Sequence, residues 1–267
     1  QIQPVRDVSN PQNPVVGNPD LKVTFNHSIN TTYNNYIASA KLNYSINANA
    51  TFIENAVVRN VVQISDAFNS RKNETRFVNL NGVYRVNANH SISKQFGNRK
   101  YNLALNGNTS YNNGVSMSDN IKNITTTWNF NERFGPRINP TEWLEVNPFV
   151  SYSFIKSNNT LPSSLDSKTN TVALNIDGKF YMWKTLIFGY SASKNYVSGI
   201  NANITNNPFV INAYLEKEFY KRRAKLTFQA FDLLNQNNFV NRNILDNGAI
   251  IDTQSHALSQ YFLVRLS

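Results

Sequence analysis

The sequence contains no cysteine, and only ten glycines, nine prolines and two methionines among its 267 residues. Without thiols there is neither a disulfide framework nor a thiolate metal site. So little glycine and proline excludes a collagen-like or low-complexity tail. Long hydrophobic runs are missing too: none approaches the ~18 apolar residues of a membrane-spanning helix. That leaves a β-barrel open, because barrel strands scatter their apolar residues among polar ones. Acidic residues are few, 16 against 26 lysines and arginines, for a net charge of +10. A basic balance of this size suits nucleic acid. Here, however, the basic residues are spread through turns and polar strand positions and form no stripe, so no nucleic-acid partner is expected. The chain opens at Gln1 without an initiator methionine or a signal peptide, and the expectation is that the start of a precursor is missing.

What the sequence has in abundance is alternation. In YIASAKLNYSINANA, residues 36–50, Tyr36, Ala38, Ala40, Leu42, Tyr44, Ile46, Ala48 and Ala50 alternate with Ser39, Lys41, Asn43, Ser45, Asn47 and Asn49. Such spacing sends successive side chains to opposite faces of a strand. It persists here for roughly twice the ~5–6 residues of an ordinary strand. The same comb recurs before a turn at Asn34-Asn35, and again over 78–89, 101–108, 124–134, 144–154, 171–180, 186–190, 209–215, 226–230 and 262–266. About eleven strands result, and none carries a helical period.

The connections alternate as well. Short ones are predicted near 34–35, 95–100, 135–142, 181–184 and 220–223, and long polar ones near 55–75, 112–120, 157–168, 197–207 and 235–256. Outer-membrane barrels have short periplasmic turns and long extracellular loops in this way. Aromatic residues bracket each short turn: Tyr33 and Tyr36, Phe96 and Tyr101, Phe134 and Trp143, Tyr181 and Trp183, Phe219 and Tyr220. A ring of amphipathic aromatics at one level is the interfacial girdle of a membrane barrel. Arg99, Lys100, Lys184 and the KRR at 221–223 gather at the same level, where they suit anionic headgroups. The fold class expected is therefore all-β, an antiparallel up-and-down transmembrane barrel facing outer-membrane lipid.

No catalytic constellation stands out, and neither an enzymatic activity nor a cofactor or metal is expected. His27, His90 and His256 are far apart and belong to no metal-spaced motif; the first two sit in comb positions and read as packing or interfacial residues. Glu216 and Glu218 share the polar face of one strand beside a basic segment, which points to structural ion pairing. Asp232 falls on the apolar comb after Ala230, so the strand is expected to have left the hydrocarbon by that point.

Two stretches carry a family resemblance. GNPDLK at 17–22, preceded by QIQPVRDVSNPQNP, resembles the loop that leads into a strand midway through the barrels of TonB-dependent outer-membrane transporters. FDLLNQNNFVNRNILDNGAIIDTQSHALSQYFLVRLS resembles their last two strands, and is most similar to the outer-membrane β-barrel family related to the SusC-like receptors. Three departures accompany it. Val23 replaces the usual proline, the chain stops at Ser267 before a terminal aromatic, and the family's plug and TonB box would lie further N-terminal. The resemblance implies that residues 1–267 are the C-terminal half of a barrel of about 22 strands, wide enough to need a plug. Residues 1–20 would be an extracellular loop entering the first strand. Implied partners are the missing half-barrel and plug, TonB in the periplasm, and a surface lipoprotein; the implied location is the outer membrane of a Gram-negative bacterium.

Inside such a barrel the polar faces would line the lumen and meet the plug. The candidate residues are Asn43, Asn81, Arg85, Asn106, Asn129, Arg133, Asn175, Asp177, Glu216, Glu218 and Gln229. Ligand capture would belong to the long loops, above all Ser65–Arg76 and Asn235–Thr253. The function expected is TonB-dependent uptake of a nutrient, with a structural or assembly subunit of an outer-membrane complex as the alternative. A soluble β-rich adhesin or solenoid is the third reading, and the length of the combs and the aromatic girdle argue against it.

Overall fold

The computed structural model describes residues 2–3, 5–65, 71–162, 164–183, 185–200, 207–220, 223–237, 240–244, 250–254, 258 and 260–267. Two short strands, β1 (Arg6–Asp7) and β2 (Val15–Val16), precede β3 (Phe25–Ile37) and β4 (Leu42–Glu54). A hairpin follows, made of β5 (Ala56–Ser65) and β6 (Arg71–Leu80). Next come β7 (Val83–Phe96), β8 (Tyr101–Ser118), β9 (Ile121–Thr141) and β10 (Leu144–Asn159). Then follow β11 (Ser167–Met182), β12 (Leu186–Ser198), β13 (Phe209–Phe219) and β14 (Ala224–Phe231). A second small hairpin, β15 (Val240–Ile244) and β16 (Ile250–Gln254), leads to β17 (Tyr261–Leu266).

Eleven of these strands form one antiparallel meander, β3-β4-β7-β8-β9-β10-β11-β12-β13-β14-β17, each paired with the next along the chain once the two hairpins are set aside. Along these strands most apolar residues fall on one face and most polar residues on the other. Among the described residues β3 pairs only with β4, and β17 only with β14, so the sheet has two open edges. There is almost no interior among the described residues: Ala56, Phe77, Val115 and Ala230 are their buried hydrophobic residues, while large apolar side chains along the sheet stay exposed. A soluble sandwich would bury one face of each strand against a second layer. Among the described residues this sheet leaves its apolar face exposed.

All five short turns sit at one end of the meander and the long connections at the other, but the predicted boundaries need correction. The first turn is at Ala38–Lys41, with Lys41 at φ 49°, and β3 runs straight through Asn34-Asn35. Strand β9 continues through Gly135 and Pro136 to Thr141, so the turn there is only Glu142-Trp143. The predicted long loop at 112–120 is a tight turn of Asp119 and Asn120, both at positive φ, atop tall strands. Two central residues with φ > 0 make the hairpin turn that matches strand twist. The predicted strand over 78–89 is two strands, parted at Asn81-Gly82. The predicted loop at 55–75 is mostly the β5–β6 hairpin.

That hairpin is tied down on both sides. Asn60 and Asn120 exchange hydrogen bonds (2.7 and 3.2 Å), and the Gln63 amide donates to Asp119 Oδ1 at 2.7 Å. On the other side the buried Glu74 receives Arg6 at 2.8 Å and Arg76 at 2.7 Å, which anchors the N-terminal segment. The Ser9 amide donates to Asp7 Oδ1 at 2.9 Å and holds that carboxyl below its ordinary range.

Candidate functional site: a two-faced wall

Register places the side chains on two faces without ambiguity. Across one row Ile46 pairs with His90, His90 with Gly107, Gly107 with Glu132 and Glu132 with Tyr152. Two residues toward the short turns the row is Tyr44, Ile92, Leu105, Phe134, Val150 and Leu174. Further along, Phe180, Phe188, Leu215, Phe228 and Val264 continue the same apolar face to the last strand.

This apolar face carries aromatics at two levels. At the short-turn end Phe96 pairs with Tyr101, and Phe219 closes β13. Trp143, Trp183 and Tyr220 sit in the turns themselves; Trp183 and Tyr220 adopt φ of 46° and 48° and are each 81% exposed. Tyr33 faces the same side four residues above the end of β3, its hydroxyl 3.4 Å from that of Tyr44. Three of the predicted girdle residues are elsewhere. Tyr36 pairs with Asn43 and Tyr181 with Ile187, which puts both on the polar face. Phe134 is seven residues from the end of β9, deep in the belt. A second level, missed in the sequence, is the row Phe52, Tyr84, Tyr111 and Trp128, whose ring centroids lie 4.7–6.1 Å apart across four strands. Tyr84 and Phe96 are twelve residues apart on β7, which is roughly 40 Å along a strand and about 30 Å after a tilt of 35–45°. That is the thickness of a bilayer's hydrocarbon core. Of the basic residues expected at the lower level, Arg99, Lys100 and Arg223 are in the short turns, while Lys184, Lys221 and Arg222 lie outside the described residues.

The polar face gathers ten of the eleven candidate wall residues: Asn43, Arg85, Asn106, Asn129, Arg133, Asn175, Asp177, Glu216, Glu218 and Gln229. Asn81 is the exception. It lies between β6 and β7 and accepts the Asn55 amide at 2.7 Å, closing the base of the hairpin. Glu216 pairs with Lys225 at 3.1 Å and accepts from Thr227 at 3.3 Å, which is the structural role expected of it. His27, on the apolar face, lies 3.7 Å from Glu54, and His90 3.2 Å from Glu132. Both glutamates were missed as partners, although Glu132 stands in the Phe130–Phe134 comb where an apolar residue is due. His256 lies outside the described residues.

The polar face holds a recess of about 290 Å³ lined by Asn102, Asn106, Arg133, Arg137, Asn147, Phe149 and Asp177. It forms where the β9–β10 ladder opens. Pairing runs to Phe134–Val150 and resumes at Ile138–Val146. Pro136 and Pro148 occupy the gap, and neither has an N–H to give a ladder. The guanidinium of Arg133 stacks over Phe149, 3.7 Å from the ring centroid. Gly135 admits this, since a Cβ there would collide with the Pro148 carbonyl and Phe149. Arg137 holds Glu145 at 3.0 Å, and Asn147 donates to Asp177 at 2.9 Å. Among the described residues the buried side-chain carbonyls of Asn102 and Asn147 meet no hydrogen-bond partner. Fixed donors, fixed acceptors and one aromatic platform can bind a polar solute or a polar protein surface.

At the long-connection end Asn123 organises the loop after β10. Its side-chain carbonyl accepts the Thr160 and Leu161 amides at 3.1 and 2.9 Å, and its amide donates to Asn159 at 3.2 Å. Asp232, left-handed at φ 44° and buried, accepts the Gln236 and Asn237 amides at 3.1 and 2.9 Å. It caps a turn at the strand end, in keeping with the sequence expectation. The predicted capture loops are only partly described: β6 covers 71–76, β15 and β16 cover 240–244 and 250–254, and 66–70, 238–239 and 245–249 lie outside the described residues.

A long antiparallel meander with an apolar belt between two aromatic levels and a polar opposite face is the wall of a membrane-spanning β-barrel. The chain belongs to the outer membrane protein beta-barrel family, which it matches over residues 1–135, and its place is the outer membrane of a Gram-negative cell. No curated protein matches it. Among solved structures it is similar to CdiB from Acinetobacter baumannii, at 11% identity and a TM-score of 0.32, over 90% of this chain and 48% of that one. The chain thus spans about half the length of that protein.

Proposed function

We propose that this chain is one half of the wall of a TonB-dependent outer-membrane receptor that takes up a nutrient without covalent chemistry. The observation that carries the reading is the pair of open edges on β3 and β17. Unpaired backbone groups facing lipid cost several kcal/mol each, so a membrane wall must close. Strands outside this chain would complete it, to about 22, with a lumen wide enough to require a plug. The polar recess around Arg133 and Phe149 would then face the plug or the solute path, the long connections would lie outside the cell, and the short turns would face the periplasm.

The test is made on the full-length protein. Purified periplasmic TonB domain should bind it, and a deletion strain should lose growth on one nutrient class while its envelope stays intact. Absence of TonB binding together with envelope defects on every nutrient would favour the alternative, a barrel serving as a structural or assembly subunit.

A further inference from the structure

Among the described residues the apolar face carries one hydrogen-bonded pair of ionisable side chains at mid-depth. His90 Nε2 and Glu132 Oε2 are 3.2 Å apart, with side chains 29% and 19% exposed. The two strands involved, β7 and β9, are not neighbours: β8 runs between them, and the side chains meet over Gly107. A Cβ at 107 would collide with both the Glu132 carboxylate and the His90 ring, so the glycine opens the notch in which they pair. His90 is six residues from Tyr84 and six from Phe96 on β7, halfway between the two aromatic levels.

Other ionisable side chains on this face lie near a strand end. Lys94 is two residues from the end of β7 and lies over Phe96. Lys217 donates to Thr185 in a short turn at 2.8 Å, and Lys194 reaches the Asn207 carbonyl at 2.5 Å in a long connection. His27 and Glu54 are at the long-connection ends of β3 and β4. His90 and Glu132 have no such exit. Among the described residues, the second ring nitrogen of His90 and the second oxygen of Glu132 make no hydrogen bond. An ionisable group in hydrocarbon is expensive and marks function by default.

The surroundings suit contact with protein. Beside the pair lies a low terrace of Thr31, Ala48, Ala50, Ala88 and Thr109, which lets another surface approach closely. The pair is also self-complementary. A two-fold axis along the membrane normal keeps both copies upright and exchanges left for right. It therefore sets His90 of one copy against Glu132 of the other, and the reverse.

We propose that this patch is the docking site of a second copy of the same protein in the plane of the membrane, held by reciprocal His90–Glu132 contacts over the Gly107 notch. The inference needs only that the apolar face meets lipid; it is independent of what the barrel transports.

Oxidative cross-linking of the full-length protein in native outer membranes tests it, on a cysteine-free background. Thr109→Cys, near the proposed axis, should give a disulfide-linked dimer on a non-reducing gel. Leu174→Cys, on the same face three strands away, should not. Adding Glu132→Leu should abolish the Thr109→Cys dimer, with the heat-dependent gel shift of a folded barrel retained. Should that variant not fold, the exchange His90→Glu with Glu132→His carries the test, since it preserves the complementarity and should preserve the dimer. No dimer from Thr109→Cys, equal dimers from both positions, a cross-link to a different protein, or loss of the dimer in the folded exchange variant would each overturn the proposal.

Discussion

The Arg133 guanidinium lies 3.7 Å from the centre of the Phe149 ring, where two prolines interrupt the ladder between their strands. The contact joins a charged group to an aromatic on the wet side of the wall, and it depends on Gly135 having no side chain. Replacing Phe149 with leucine should remove about 0.5–1 kcal/mol of stability, the size of an accessible cation–π contact. Gly135→Val should be far worse, because its neighbours there include backbone. Urea unfolding of the protein in lipid vesicles distinguishes them, and equal losses would refute the packing described for Gly135.

Val150 and Ser153 stand three residues apart on β10 and face opposite sides. Val150→Arg should cost roughly 2–4 kcal/mol, the range for arginine at the bilayer midplane, and Ser153→Arg should be tolerated. Folding yields into vesicles give the comparison. Equal tolerance would mean that the apolar face does not meet lipid.

Asp232 satisfies two backbone amides from a buried position. Its replacement by alanine removes both of these hydrogen bonds, at about 1–3 kcal/mol. Faster proteolysis within 233–260, with the rest of the wall still resistant, is the expected result. Unchanged cleavage would show that the cap is dispensable.

The orientation is open to direct labelling. Ser164→Cys, in the connection after β10, should react with an impermeant maleimide on intact cells, and Asn98→Cys, in the turn after β7, should not. The reverse pattern would invert the wall.

Much of this was legible from period two alone. The eleven strands, their order and the facing of residues such as Arg133 and Asp177 follow from the alternation, which a few residues such as Glu132 interrupt without shifting its phase. Turn positions were less legible where local chemistry misleads. Asn34-Asn35 has the composition of a turn, yet the Asn35 side chain donates to Tyr44 at 2.8 Å and the strand continues. The true turn at Ala38–Lys41 has no glycine, proline or asparagine to announce it. That four-residue displacement is what moves Tyr36 to the polar face. Gly135 and Pro136 likewise suggested a break, but the ladder merely opens there and closes again. The His90–Glu132 pair was hidden for a different reason: it spans an intervening strand, and 42 residues separate its members. Only the sheet register brings them together.

The most direct measurement is a nitroxide scan along Leu144–Asn159, one cysteine at a time, comparing collisions with oxygen and with a water-soluble nickel complex. A lipid-facing wall gives oxygen maxima at Val146, Val150, Tyr152 and Phe154, and nickel maxima at Asn147, Ser151 and Ser153. Accessibility without a two-residue period, or with nickel favoured on both faces, would contradict a lipid-facing wall.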